Sequence, residues 1–225
     1  MVTAFLPCRA GSQRIPNKNT KEFSGNKGGL LTIKLKQLLE VPLIDRIILS
    51  TNDQKVIDIA FNMDSRVFID VRPEHLATSE TSTDDLINYV PNIISEGHIL
   101  WTHVTSPFLN SDIYQLAIKQ YLDNIKSGRY DSLMTVNKLQ TFLWDKNGSV
   151  NYDRNVEKWP RTQTLPELFE INSGIFINSA NNYLKYNDRI GVNPFLYQTQ
   201  GLASFDIDWP EDFHLAELMY SNING

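Results

Sequence analysis

Residues 7–19 read Pro-Cys-Arg-Ala-Gly-Ser-Gln-Arg-Ile-Pro-Asn-Lys-Asn, directly after an apolar opening, Val2 to Leu6. The opening has the character of a buried first strand. A strand that runs into a short, basic, glycine-containing loop is suited to holding a polyphosphate. Gly11 and Ser12 allow close backbone approach, so that peptide N–H groups can face phosphate oxygens. Arg9, Arg14 and Lys18 add charge, and each arginine can donate two parallel hydrogen bonds. The plainer alternative is a solvated basic surface loop. The loop contains neither G-x-x-x-x-G-K-[ST] nor G-x-G-x-x-G, so it is not a P-loop or a dinucleotide fingerprint.

Charge is placed unevenly around this loop. Residues 9–27 carry five Lys/Arg against one Glu, whereas the whole chain has 21 Lys/Arg against 26 Asp/Glu and a net charge of −5. An acidic body with one basic loop suits a small anion and argues against nucleic acid, whose binding needs broad phosphate neutralisation. At 225 residues and 41% hydrophobic content the chain suffices for one substantial α/β domain. No apolar run is long enough to span a bilayer and no signal peptide is legible, so no membrane partner is expected. A single cysteine, Cys8, rules out an intrachain disulfide and suits a reducing cytoplasm. Cys8 reads as a packing residue at the strand end.

After the loop, strands and helices alternate. A helix is expected over 30–39, then a strand at 43–50, a helix at 54–62 and a strand at 66–69. A hydroxyl-rich loop, Arg72 to Thr83, leads to a helix at about 84–96. A strand at 98–102 runs into His103-Val104-Thr105-Ser106-Pro107-Phe108, and a helix at 112–125 precedes a strand at 131–136. Such alternation implies a mostly parallel, right-handedly wound sheet, whose ligands gather at the carboxyl ends of strands. Residues 138–170 break the rhythm. Asn147-Gly148 signals a hairpin with exposed aromatics, a plausible surface for a second copy. Residues 170–177 read as a central strand.

Near the end, Asp206-Ile207-Asp208-Trp209-Pro210-Glu211 precedes a helix reaching about 222. The two aspartates project from one side of an extended segment. Two readings stay open from these residues alone. The carboxylates are a hard-oxygen pair for Mg²⁺ or Mn²⁺, completed by phosphate oxygens, or Asp208 and Glu211 form a capping box around Pro210.

The opening resembles that of the acylneuraminate cytidylyltransferases (CMP-sialic acid synthetases), a strand followed by (P)-x-R-x-G-S-K-R-x-x-x-K-N. Arg9, Gly11, Ser12, Arg14, Lys18 and Asn19 fit this pattern, and Gln13 stands where lysine is usual. Arg72-Pro73 to Leu76-Ala77 is similar to the family's R-P-x-x-L-A segment beside the base. The resemblance makes Arg72 and Thr83 candidates for cytosine and ribose contacts, although Ser79 replaces a usual aspartate. His103 to Pro107 is similar to Q-P-T-S-P, whose glutamine touches the sugar acid; His103, Thr105 and Ser106 become acceptor contacts. Arg161 lies where an R-Q-x-L-P-like arginine would meet the acceptor's carboxylate. Asn172 and Phe176, in a segment similar to N-G-A-I-Y-I, would border the sugar pocket, Phe176 replacing a common tyrosine. The family's D-x-D-x-x-x-D-F ending favours the metal reading of Asp206 and Asp208.

The resemblance runs from Pro7 to Phe213. It implies a Rossmann-like nucleotide-diphospho-sugar transferase fold, a mostly parallel mixed sheet between helices. Residues 1–225 form one domain, with 138–170 as an inserted dimerisation and substrate-lid region, so a homodimer is expected. The implied reaction transfers CMP from CTP to the anomeric hydroxyl of a sialic-acid-like 2-keto-3-deoxy sugar acid and releases pyrophosphate. Arg9, Ser12, Arg14 and Lys18 would hold the triphosphate, with Gly11 and Asn19 toward the nucleoside. A Kdo-type or other nucleotide-sugar nucleotidyltransferase, or a catalytically weakened nucleotide-binding homologue, is the alternative.

Overall fold

A computed structural model describes residues 1–224. In chain order the elements are β1 (Val2–Pro7), α1 (Gly29–Leu39), β2 (Arg46–Thr51), α2 (Gln54–Ala60), β3 (Val67–Val71), α3 (Thr83–Ile93) and β4 (His98–Thr102). There follow α4 (Ser111–Ser127), β5 (Ser132–Leu139), β6 (Trp144–Asp145), β7 (Gly148–Ser149), β8 (Leu168–Ser179), α5 (Ala180–Tyr186), β9 (Pro194–Gln198) and α6 (Pro210–Asn224). Seven strands form one sheet in the order β3-β2-β1-β4-β8-β5-β9. The strands pair in parallel except β8, which runs antiparallel to both β4 and β5. The expected mostly parallel mixed sheet is therefore present.

Helices cover both faces. Leu6 and Ala4 of β1 pack with residues of α1, α2, α4 and α6, while Phe5 packs with residues of α3 and α5. β1 is buried on both sides, which explains its unbroken apolar run. The chain leaves β1 for β2 and β3 on one flank, then returns to lay β4 on the other. The carboxyl ends of β1 and β4 thus flank the point where strand order reverses, the natural ligand crevice of an open α/β sheet.

Local chemistry sets the boundaries. Asp53 and Ser82 cap α2 and α3 with their side chains. β2 begins at Arg46 rather than at residue 43, because the chain first closes a turn in which Ile44 N donates to the Val41 carbonyl at 3.1 Å. α3 ends at Ile93, short of residue 96. Gly29 has φ +61°, and a Cβ there would lie 2.2 Å from the Lys21 carbonyl oxygen, so only glycine lets the basic loop lie against the start of α1.

The excursion at 138–170 is carried on a ribbon. β5 and β8 stay paired from Val136↔Ile171 to Leu139↔Leu168, past a register shift between Met134 and Val136. The Asn147-Gly148 hairpin forms with strands of two residues each. Here Arg154 stacks on both Trp144 and Trp159, at 5.3 and 5.0 Å. Residues 178–202, where the sequence suggested no element, contain α5 and the edge strand β9.

Candidate active site

The basic loop leaves β1 at Pro7 and is pinned from within. Ile15 is buried, Asn19 donates from Nδ2 to the Arg9 carbonyl, and its own carbonyl accepts from Leu31 N. Asn19 therefore closes the base of the loop. Gly11 sits at φ +77°, and Arg9 curls back to donate to the carbonyls of Ala10 and Gly11. Cys8 is buried as a packing residue, and burial pushes its thiol up to about 12.

The two ends of the sequence meet at this loop. Arg14 Nη1 lies 3.0 Å from Asp208 Oδ1, and Lys18 donates to the Ile207 carbonyl at 2.7 Å. Arg9, Ser12, Arg14, Lys18 and Asp208 line a cleft of about 170 Å³. Ile207 is buried between the aspartates, so its neighbours project alike toward the loop. Ile207 N donates to the Thr105 carbonyl, and Ser106 Oγ donates to Asp206 Oδ1 at 3.3 Å. Thr105 and Ser106 thus orient Asp206 from behind. Ser106 is in turn held by Lys34, whose fully buried ammonium donates to the carbonyls of Ser106 and Leu109 and to the Tyr114 hydroxyl.

Burial raises the pKa of Asp206, with nearby Asp208 adding to the shift and hydrogen bonds from Thr105 and Ser106 opposing it. Burial lowers that of Lys18, which the two aspartates partly offset. The aspartate pair fits a hard divalent ion only in part: among the described residues no three His, Cys, Asp or Glu side chains cluster for a metal. Two carboxylate donors need substrate phosphate oxygens to complete a shell. The capping-box alternative is settled differently. Asp212, not Glu211, accepts from Trp209 N at 2.7 Å and from Asp208 N at 3.0 Å, leaving the Asp208 carboxylate to Arg14.

A second cleft of about 330 Å³ adjoins the first and shares Arg9 with it. Arg72, Thr83, Trp101, His103 and Arg189 line it, and no Asp or Glu does. Arg72 is buried and fixed by Ser50, through Nε to Oγ at 3.0 Å and Nη2 to the carbonyl at 2.8 Å. Thr83 opens α3, beside its cap Ser82. His103 follows β4 directly, and its Nε2 accepts from Trp101 Nε1 at 3.0 Å. That bond puts the imidazole proton on Nδ1. Burial, together with Arg189, Lys18, Lys34 and Arg72, pushes the imidazole down to about 3, so it is neutral near pH 7.

Other expected acceptor contacts lie further off. Phe176 is buried beneath the second cleft, with the Arg189 guanidinium 3.7 Å from its ring centroid. Asn172 bonds Asn137 and Thr199 and lines neither cleft. Its neighbour Ser173, held at φ +57°, lines the second cleft instead. Arg161 is exposed in the excursion and also lines neither. Sequence reasoning missed Arg189, Ser173 and Lys34. A lysine within the apolar face of α1 was the one available signal, for Lys34.

Residues 3–223 match the Cytidylyltransferase family. The chain belongs to that family. This cytidylyltransferase is therefore a nucleotidyltransferase enzyme, and the resemblance carried by residues 7–19 holds along its length. It is 22% identical over 222 residues to the pseudaminic acid cytidylyltransferase of Campylobacter jejuni, covering 96% of this chain and 94% of that one. It is 26% identical to the N-acylneuraminate cytidylyltransferase of Escherichia coli, covering 96% of this chain and 51% of that one. Among solved structures, the CMP:2-keto-3-deoxy-manno-octonic acid synthetase complexed with CTP superposes with a TM-score of 0.69, at 14% identity and 99% coverage of both chains. The 4-diphosphocytidyl-2C-methyl-D-erythritol synthase of Anaerococcus prevotii gives 0.66, at 18% identity and 97% coverage of both. At these identities the two structures speak to the fold of the cytidylyltransferase alone. Among its described residues no helix is long and apolar enough to cross a membrane.

Proposed function

We propose that this cytidylyltransferase transfers CMP from CTP to the anomeric hydroxyl of a sialic-acid-like 2-keto-3-deoxy sugar acid. The observation that carries the reading is the meeting of the basic loop with the Asp206–Asp208 segment, next to a second cleft lined by arginines. The acceptor oxygen attacks the α-phosphorus, the bond to the bridging oxygen breaks, and pyrophosphate leaves as the hydroxyl proton is lost. Arg9, Ser12, Arg14 and Lys18 hold and neutralise the triphosphate, and Arg72 and Thr83 take the nucleoside side. Catalysis of this kind is positioning and charge neutralisation. Asp206 and Asp208 would hold Mg²⁺ or Mn²⁺, which supplies charge neutralisation at the reacting phosphate when bound. Neutral His103 acts as a hydrogen-bond donor rather than a base.

Relatives named for pseudaminic and N-acylneuraminic acids support a nine-carbon acceptor. Lys18-Asn19, where Kdo enzymes tend to carry K-P, supports the same choice. A homodimer is part of this proposal: Trp144, Val156, Trp159 and Ile171 expose apolar surface along the ribbon and its excursion. The buried Cys8 fits a reducing cytoplasm. The test supplies CTP and Mg²⁺ with pseudaminic, N-acetylneuraminic, legionaminic and Kdo acids and measures pyrophosphate release. Release with at least one nine-carbon acid is expected. Silence across the panel while CTP still binds would favour a non-catalytic nucleotide-binding role.

A further inference from the structure

Arg189 follows α5 by three residues and points its guanidinium into the second cleft. The cation is stacked on Phe176, 3.7 Å from the ring centroid, and reaches the Trp101 ring at 5.4 Å. Stacking fixes the plane of a guanidinium while leaving its edge, with the N–H donors, free. Among the described residues Arg189 has no side-chain hydrogen bond and no ion pair, although Asp84 and Asp188 lie close enough to act on it electrostatically. A partly buried cation with unused donors, held rigidly in a cleft that no carboxylate lines, is a receptor for an anion.

Two anions could come here, a phosphate of the nucleotide or the carboxylate of the acceptor. The smaller cleft, beyond Arg9, already gathers Arg14, Lys18 and Ser12 for phosphates, and Arg189 is not part of it. The acceptor acid has one negative charge to recognise, and of the three arginines that line the second cleft Arg9 donates to the carbonyls of its own loop and Arg72 to Ser50, which leaves Arg189. Resting on the function proposed above, we propose that Arg189 anchors the acceptor's carboxylate through a forked pair of hydrogen bonds, with Phe176 and Trp101 as the platform that aims it. His103, whose Nδ1 carries the proton, lines the same cleft. Specificity for an acid over the corresponding neutral sugar then originates in this one side chain.

The test compares wild type with Arg189→Met, which keeps the stem on Phe176, and with Arg189→Lys, which keeps the charge without the fork. Kinetics are measured with the preferred sugar acid and its methyl ester, and CTP affinity by calorimetric titration. In wild type the ester should raise KM about 10- to 100-fold, the worth of a charge-assisted pair. Arg189→Met should raise KM for the acid to the same extent, treat acid and ester alike, and leave the CTP Kd within about twofold. Arg189→Lys should fall between. A wild-type enzyme that uses acid and ester equally, or an Arg189→Met enzyme that still prefers the acid, overturns the assignment alone. A CTP Kd that rises in step with the acceptor KM assigns the anion to phosphate and also overturns it. A wild-type enzyme that binds CTP but uses no acid overturns both the function and the anchor.

Discussion

Arg14 Nη1 and Asp208 Oδ1 stand 3.0 Å apart, joining positions separated by 194 residues in the chain. The arginine also lies over Trp209, 4.6 Å from the ring centroid. Both partners are about half exposed, at 49% and 56% of their side-chain surface, so the pair contributes at most ~1 kcal/mol to stability. Its importance is positional. It brings the basic loop that follows β1 and the aspartate segment that precedes α6 to one point.

Because Asp212 rather than Asp208 closes the start of α6, the two roles can be separated. Asp208→Asn should lower kcat by about 100-fold or more, as loss of a charge-stabilising group does, and should leave thermal stability within a few degrees of wild type. Asp212→Ala should cost about 1 kcal/mol in urea unfolding and keep most of its turnover. The opposite pattern, a destabilised and active Asp208→Asn enzyme, would return Asp208 to a capping role.

Lys34 ties the core to the segment that holds Asp206. Its ammonium serves three neutral acceptors, and burial lowers its pKa well below the ordinary lysine value. Lys34→Met leaves those acceptors short of a donor. It should cost about 2–4 kcal/mol in urea unfolding. Because Ser106 holds Asp206, activity should fall in the fraction that stays folded.

His103 predicts a pH dependence of stability. The unfolded chain takes up this proton near 6.5, whereas the folded protein resists until about 3. The neutral form is thus favoured by folding, and its contribution is lost as pH falls from 6.5 toward 3. His103→Gln removes that contribution, so its Tm should decline less than that of wild type between pH 6.5 and 4. The kcat profile of wild type should show no inflection from His103 between pH 6 and 8.

The fold was largely legible because its first half is local. Apolar runs, the caps at Asp53 and Ser82 and the alternating rhythm specify β1 through β5 with small shifts at the ends. The inward reversal of β8 was not legible, since antiparallel pairing between β4 and β5 is a long-range choice that leaves no mark on periodicity. Within the candidate site, Arg9, Arg14 and Lys18 were singled out by their fixed offsets after β1, and the aspartate pair by its two-residue spacing on an extended segment before α6. Arg72 was placed by its R-P-x-x-L-A segment, and His103 by its position at the end of β4, although a glutamine is usual there. Ser173 owes its place to a positive φ, and Arg189 to stacking on a ring thirteen positions earlier, and neither leaves a local signal. Asn172 shows the converse: its motif pointed to the pocket, but its amide is taken by Asn137 and Thr199.

The most direct test of the convergence of loop and aspartate pair on one nucleotide and its ion is the metal dependence of CTP binding. Calorimetric titration of CTP, with and without Mg²⁺, would be run on wild type and on the Asp206→Asn/Asp208→Asn double variant. Mg²⁺ should tighten CTP binding at least about tenfold in wild type and have almost no effect in the variant, whose metal-free affinity persists through Arg9, Arg14 and Lys18. Equal tightening by Mg²⁺ in both proteins would contradict the account.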